Sequence, residues 1–311
     1  MSLTVLAQAV SGVRARLAGM TRKQLVATVV ALVLAASYLS PLWGGLTTAF
    51  KTQSAFFNTL PLAPPGPGQF TLGAWAQAWT TLEPALWNSL MFTVPAMLFS
   101  ALLGSLAAYG LTMVDWRGQV AVMVLFIAAI FLPKQGVLLP LSRFWNAVDL
   151  AALLESVGYF ALPFAEAKHA TLLELTVTHT CFGISICTLL FRGYYLTIDQ
   201  DILEAARIDG ASILGVYRNI VLPLSYPMFM VVFIFQFTQI YNEFLFAFTL
   251  IVNADAAAAP VTLVIPSIGA STSGINYGVR MSAALLAALP TIIIYIAFAE
   301  QFARGLRTES G

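Results

Sequence analysis

Long apolar runs alternate along this chain with short polar stretches. A membrane-spanning helix needs about 20 mostly apolar residues, and six runs meet that length: 25–47, 86–112, 118–142, 171–192, 224–252 and 281–303. The pattern predicts an all-α membrane protein with six transmembrane helices. A segment 1–24 precedes the membrane domain 25–303, and a tail 304–311 follows it. Six crossings place both ends on one side. Arg14, Arg16, Arg22 and Lys23 precede the first run without an acid, which predicts that this side is the cytoplasm. Counted on that basis, ten Lys and Arg fall inside and five outside: Lys51, Lys134, Arg143, Lys168 and Arg280. A cleaved signal peptide is the rival reading of the N-terminus. The run continues through Pro41-Leu42-Trp43 without a convincing small-residue cleavage site, so an uncleaved first span is expected.

The connecting segments predict three outer features. Residues 48–85, with Pro61, Pro64, Pro65 and Pro67, read as an extended loop followed by a short interfacial helix around Trp75, Trp79 and Trp87. Residues 143–170 contain Asp149, Glu155, Glu166, Lys168 and His169, polar enough to exclude a span and apolar enough for a helix on the surface. Residues 253–280, rich in Ala, Ser and Gly, read as a flexible loop able to enter a partner's cleft.

Composition agrees with burial in lipid. Hydrophobic residues make up 59% of the chain and charged residues 9%, against roughly 25% charged in soluble domains. The net charge of +1 comes from scattered cations, so a nucleic-acid partner is not expected. Cys181 and Cys187 lie in one apolar run and read as small buried hydrophobes.

Polar residues inside the runs are the internal evidence for a pathway, because a charge at the bilayer centre costs at least about 2.5–3.5 kcal/mol. Gln236, Gln239 and Glu243 recur at helical spacing on one predicted face, with Asn242 beside them. They line a pathway or hold the bundle together by interhelical hydrogen bonds. His179, with Thr176, Thr178 and Thr180, forms a second polar patch in the fourth run. Ser100, Gly104 and Ala108 are spaced by four, a seam that lets helix backbones approach. Lys134 follows Pro133, which is expected to break or kink the third run; its amine either snorkels outward or faces a cavity.

Between the fourth and fifth runs, segment 193–223 carries Asp201-Ile202-Leu203-Glu204-Ala205-Ala206-Arg207-Ile208-Asp209-Gly210-Ala211-Ser212, and later Leu222-Pro223. A short acidic helix, a glycine break and a second helix leading into a span make a rigid knob suited to docking. This stretch resembles the EAA loop of ABC importer permeases. Asn88-Ser89, Arg117-Gly118, Asn242-Glu243-Phe244, Ala288-Leu289-Pro290 and Gly305-Leu306 extend the resemblance to sugar-type importer permeases, of the kind represented by the second permease of the maltose system. The longer 143–170 segment and the tail sequence Arg307-Thr308-Glu309 depart from that pattern.

The resemblance implies a non-catalytic permease subunit. A second permease would complete the pore, two ATPase subunits would bind ATP-Mg, and an extracytoplasmic binding protein would deliver the sugar. Glu204, Ala205, Ala206, Arg207, Asp209, Gly210, Leu222 and Pro223 would couple to the ATPase; Gln236, Gln239, Asn242, Glu243 and His179 are the candidates for the pathway lining. The chain is expected to bind no cofactor or metal itself. It contains no G-x-x-x-x-G-K-[ST] loop to cradle nucleotide phosphates and no ligand set at metal spacing. A secondary transporter or channel is the alternative, for which Glu243 is the clearest ion-coupling carboxylate in the spans.

Overall fold

The computed structural model describes residues 20–251, 256–272 and 274–307, with side chains through residue 298. Arg14, Arg16 and the residues after Arg307 therefore lie outside the described residues. Helix α1 (Arg22–Ala49) begins at a capping box, in which Thr21 accepts from the Gln24 amide and the Gln24 side chain accepts from the Thr21 amide. It is exposed along most of its length, as an apolar helix facing lipid can be. Its last turn is buried against α13 (Tyr277–Arg307).

The central element is a pair of long helices, α3 (Gly73–Thr112) and α7 (Lys168–Tyr195). The expected small-residue seam joins them. Ser100, Gly104 and Ala108 are buried, and a β-carbon built on Gly104 would stand 2.4 Å from Cys187 Cβ. Cys187 is buried as expected, whereas Cys181 faces out of the bundle. At α3 the structure corrects the sequence reading. The helix starts thirteen residues before the predicted span, so the supposed interfacial helix at Trp75 and Trp79 is its first turns. Pro84 and Pro95 lie inside it without ending it, as neighbouring helices in a bundle permit.

The predicted third span is divided. Helix α4 (Gln119–Ile130) stops before Pro133, and α5 (Lys134–Val148) starts after it. Proline has no N–H to give the preceding turn and forces Leu132 away from helical backbone. Asp149, at φ +45°, links α5 to α6 (Leu150–Ser156) and caps the Ala152 amide. By length and composition Lys134–Ser156 qualifies as a candidate span, against the expectation that residues 143–170 are too polar. Five helices among the described residues qualify on those criteria, or six when the bent pair Ile213–Leu224 and Tyr226–Tyr241 is taken as one.

Helix α8 (Gln200–Ile208) precedes that bent pair, α9 (Ile213–Leu224) and α10 (Tyr226–Tyr241). They meet at 74° around Ser225, because Pro227 cannot donate to the Pro223 carbonyl. Residues Tyr217–Val221 of α9 form a π-helical turn. The fifth predicted span ends early, at Tyr241, and resumes as α11 (Leu245–Leu250).

The segments predicted to lie outside are more ordered than expected. Helix α2 (Gln53–Asn58) interrupts the predicted 48–85 loop, and Lys51, only 2% exposed, gives its amine to the Leu60 carbonyl at 2.9 Å. The predicted flexible loop holds α12 (Val261–Val264), whose valines are buried, and a hairpin of β1 (Ala270–Ser271) and β2 (Gly274–Ile275). Asn88 donates to the Ala257 and Ala259 carbonyls, and Ser89 accepts from the Val261 amide, fixing this segment to α3.

Candidate functional site

Two places gather the predicted residues. The first is a recess of about 300 Å³ where α4, α5, α7, α10 and α11 converge. Its wall includes Lys134, His179, Gly183, Gln236, Gln239, Phe182 and Phe246. Both chain breaks contribute to it. The proline that ends α4 puts Lys134 on the first turn of α5, inside the recess, which settles the choice left open by the sequence. The break after Tyr241 turns the chain so that Glu243 accepts hydrogen bonds from the Leu245 and Phe246 amides at 3.0 and 2.9 Å.

Glu243 is therefore not on the helical face of Gln236 and Gln239, as the spacing predicted, because α10 has ended two residues before it. The turn instead brings its carboxylate 3.7 Å from Lys134 Nζ and 4.0 Å from His179 Nε2. The second separation is too long for a hydrogen bond. His179 is buried between the rings of Phe92 and Phe246, and its Nε2 has no hydrogen-bond partner. The same holds for Gln236 Nε2. Lys134 also lies 5.4 Å from the centre of the Phe246 ring, within cation–π range.

The other predicted polar residues are placed differently. Gln239 is exposed at the recess edge. Asn242 is exposed away from the recess lining and donates to the Thr238 carbonyl of its own helix. The hydroxyls of Thr176 and Thr180 bond carbonyls one turn back, and Thr178 accepts from Trp145 Nε1. Of that patch, only His179 keeps a free polar atom facing the recess.

The second place is the α8 knob. Asp199 caps its start by accepting from the Asp201 amide, and Gly210 ends it at φ +84°, a left-handed turn that glycine makes without strain. Leu203 is fully buried and pins the helix, while Glu204, Ala205 and Asp209 are exposed. Ala206 is half-buried. Arg207 donates to the Met113 carbonyl at 2.7 Å, closing the end of α3. Leu222 and Pro223 form the last turn before the bend, with Leu222 half-buried and Pro223 exposed.

Sequence reasoning missed the network beneath this knob. Ser105 of α3 bonds the hydroxyls of both Tyr195 and Tyr217, at 2.6 and 2.9 Å. Tyr109 donates to the Ile213 carbonyl at 2.8 Å, and Tyr194 to the Leu224 carbonyl. The available signal was a tyrosine on each side of the acidic segment, at 195 and 217, but their common partner lies 90 and 112 residues away in the chain.

A bundle of five or six candidate membrane-spanning helices with an exposed helical knob after Tyr195 is consistent with the architecture of a transport permease. The chain belongs to the family of binding-protein-dependent transport system inner membrane components, whose model matches residues 88–308. It is 56% identical over 274 residues to the xylose/arabinose import permease protein XacI of Haloferax volcanii, covering 88% of each chain. A Pyrococcus horikoshii ABC transporter permease protein is 35% identical over 89% of this chain and 93% of its own. Among solved structures, a chain of a bacterial ABC transporter involved in import of the acidic polysaccharide alginate superposes with a TM-score of 0.69. That match covers 90% of this chain and 98% of the other at 16% identity, a likeness of fold.

Proposed function

We propose that this chain is the permease subunit of an ATP-driven sugar importer, forming half of the translocation pathway beside a second permease. Two ATPase subunits, holding ATP-Mg, bind beneath the pair of permeases, one of them on α8 of this chain, and an extracytoplasmic binding protein delivers the sugar. The N- and C-termini and α8 lie on the cytoplasmic side of the inner membrane. The observation that carries this reading is the knob itself. Its surface offers the carboxylates of Glu204 and Asp209 beside the exposed apolar side chains of Ile208, Ile213 and Leu214, while its underside is tied to α3.

Force applied to such a knob reaches the bundle through Arg207, Tyr109 and the Ser105 pair of tyrosines, all of which end on α3. Alternating access follows if nucleotide-bound ATPase holds the knob differently in the inward-open and outward-open forms, because only a differential contact shifts such a balance. The recess around Lys134, His179 and Gln236 lies along the pathway between them. The sugar class is supported by the name of the Haloferax relative, a xylose/arabinose import permease.

Reconstitution tests the reading. The chain alone in vesicles moves no sugar, and uptake appears only with a second permease, the ATPase and the binding protein, undiminished when ion gradients are collapsed. Accumulation by the lone chain on a proton or sodium gradient overturns it.

A further inference from the structure

From Thr52 through Leu82, between α1 and the first turns of α3, the chain carries no charged residue and no histidine. A loop facing water would be expected to hold several, since roughly a quarter of the residues of soluble domains are charged. Its outward side chains are instead Phe57, Leu60, Leu62, Phe70 and Leu72, from 50% to 76% exposed. The backbone is paired with unusual care. At the base of the loop the Thr52 amide donates to the Gln69 carbonyl and the Thr71 amide to the Phe50 carbonyl. Three successive carbonyls then turn toward α1: Leu60 accepts from Lys51 Nζ, Pro61 from Thr47 Oγ1 and Leu62 from Trp43 Nε1, each at 2.9 Å. Pro61, Pro64, Pro65 and Pro67 remove amide donors from the same stretch. Of the amides that remain, Ala63 donates to the Leu60 carbonyl and Gly66 to Gln69 Oε1. Water would satisfy such groups in a solvent-facing loop, whereas in lipid they must find partners within the protein.

The donors also set the depth. Lys51, Thr47 and Trp43 follow one another back down α1, so the loop descends along the helix instead of rising from its end. At about 1.5 Å per residue, Trp43 stands about 27 Å along α1 from Leu25, the first apolar residue after Arg22 and Lys23. That is within the roughly 30 Å of bilayer hydrocarbon, and any tilt of α1 draws Leu62 deeper. Through the Trp43–Leu62 contact the apolar surface of the loop continues that of α1, where Leu39, Leu42 and Leu46 are exposed. We infer that residues 57–72 form a wedge seated in the lipid interface, with Leu60 and Leu62 against acyl chains, an inference that rests on α1 crossing the membrane. The uncharged sequence selects the surface, because it asks for no anionic headgroup. The wedge is also tied to α13. Gln53 Nε2 donates to the Ile275 carbonyl at 2.7 Å, and the ring of Phe56 stacks on Tyr277 with centres 4.5 Å apart. Seated in this way, it fixes the depth at which the adjoining ends of α1 and α13 stand in the membrane.

The test uses the assembled transporter, both permeases with ATPase, in nanodiscs of neutral phosphatidylcholine. Exposed Cys181 is replaced by alanine and buried Cys187 is kept. Phe57→Cys, Leu60→Cys and Leu62→Cys each carry a nitroxide, whose relaxation by oxygen, which concentrates in lipid, is compared with that by a water-soluble nickel chelate. Leu39→Cys on α1 is the lipid reference, and Thr272→Cys, exposed at the turn of the β1–β2 hairpin, is the water reference. The expected result is that oxygen dominates at Leu60 and Leu62 as it does at Leu39, and still does so when half of the lipid is anionic phosphatidylglycerol. Trp43→Phe, which strips the Leu62 carbonyl of its donor, shifts the Leu62→Cys label toward the nickel chelate. Nickel dominance at the wedge, as at Thr272, overturns the inference. Protection from both reagents, or nickel access that is lost when the binding protein is added, also overturns it and makes the segment a protein-docking surface. Oxygen dominance that appears only with anionic lipid overturns the uncharged mode of attachment. Nickel dominance at Leu39 removes the premise that α1 crosses the membrane, and the wedge with it. Two concordant wedge positions decide the matter where a third label prevents assembly.

Discussion

The knob network and the recess both draw on α7, yet they use polar groups in opposite ways. Under the knob, Ser105, Tyr109, Tyr195, Tyr217 and Arg207 each have a hydrogen-bond partner. In the recess, His179 Nε2 and Gln236 Nε2 have none, and Lys134 faces Glu243 at 3.7 Å rather than at bonding distance. A closed network stiffens what it joins, because every opening leaves a polar group stranded in a low-dielectric interior. An open one leaves its groups able to take other partners. The comparison teaches that a closed and an open set of polar groups lie at separate levels of α7, the closed one suited to passing force.

Substitutions break or sharpen that contrast, beginning with the most damaging. Gly183→Leu inserts a side chain where even a β-carbon would meet Gln236 and Ser100. Overpacking of this kind costs about 1–3 kcal/mol or more. We expect a large drop in the midpoint of thermal unfolding of the detergent-purified complex, or failure to assemble. Glu204→Ala leaves the bundle unchanged, since the side chain is exposed. If its carboxylate makes a charge-assisted contact with the ATPase, worth about 1.5–3 kcal/mol, sugar uptake falls by an order of magnitude or more while membrane insertion is normal. Wild-type uptake would remove Glu204 from the coupling surface.

Smaller effects test the network itself. Tyr217→Phe deletes one of the two hydrogen bonds on Ser105 and costs about 1 kcal/mol. Combined with Ser105→Ala in a double-mutant cycle, the two losses are less than additive if the network acts as a unit, and additive if it does not. Lys134→Met is expected to cost under about 1 kcal/mol, because the lysine side chain is 39% exposed and Glu243 retains its two backbone donors. A loss of several kcal/mol on chemical denaturation would show that the pair is a structural lock.

The knob was legible because its determinants are local. Asp199, Leu203, Gly210 and the apolar run that follows lie within a few turns of one another, and capping and turn chemistry act over that range. The small-residue seam was legible for the same reason. The recess was only partly so, since its residues come from four stretches of chain and meet through two helix breaks. Pro133 announced the first break. Nothing announced the second, where Tyr241-Asn242-Glu243 leaves the helix with no proline or glycine, so a helical face was extrapolated past its end. The length of α3 was hidden as well, because Glu83, Pro84 and the tryptophans before them make its first turns look like an interface rather than a span.

That length has a mechanical consequence. A forty-residue helix is about 60 Å long, twice the roughly 30 Å of hydrocarbon it crosses. One end of this mast is gripped near Ser105 and Tyr109 by the knob network, and further along its length Asn88 and Ser89 hold the 257–261 segment. If it tilts as a rod, about 5° at the gripped end carries the far tip about 5 Å. A single lever then delivers to one face of the membrane a displacement produced at the other, with no relay of hinges between them.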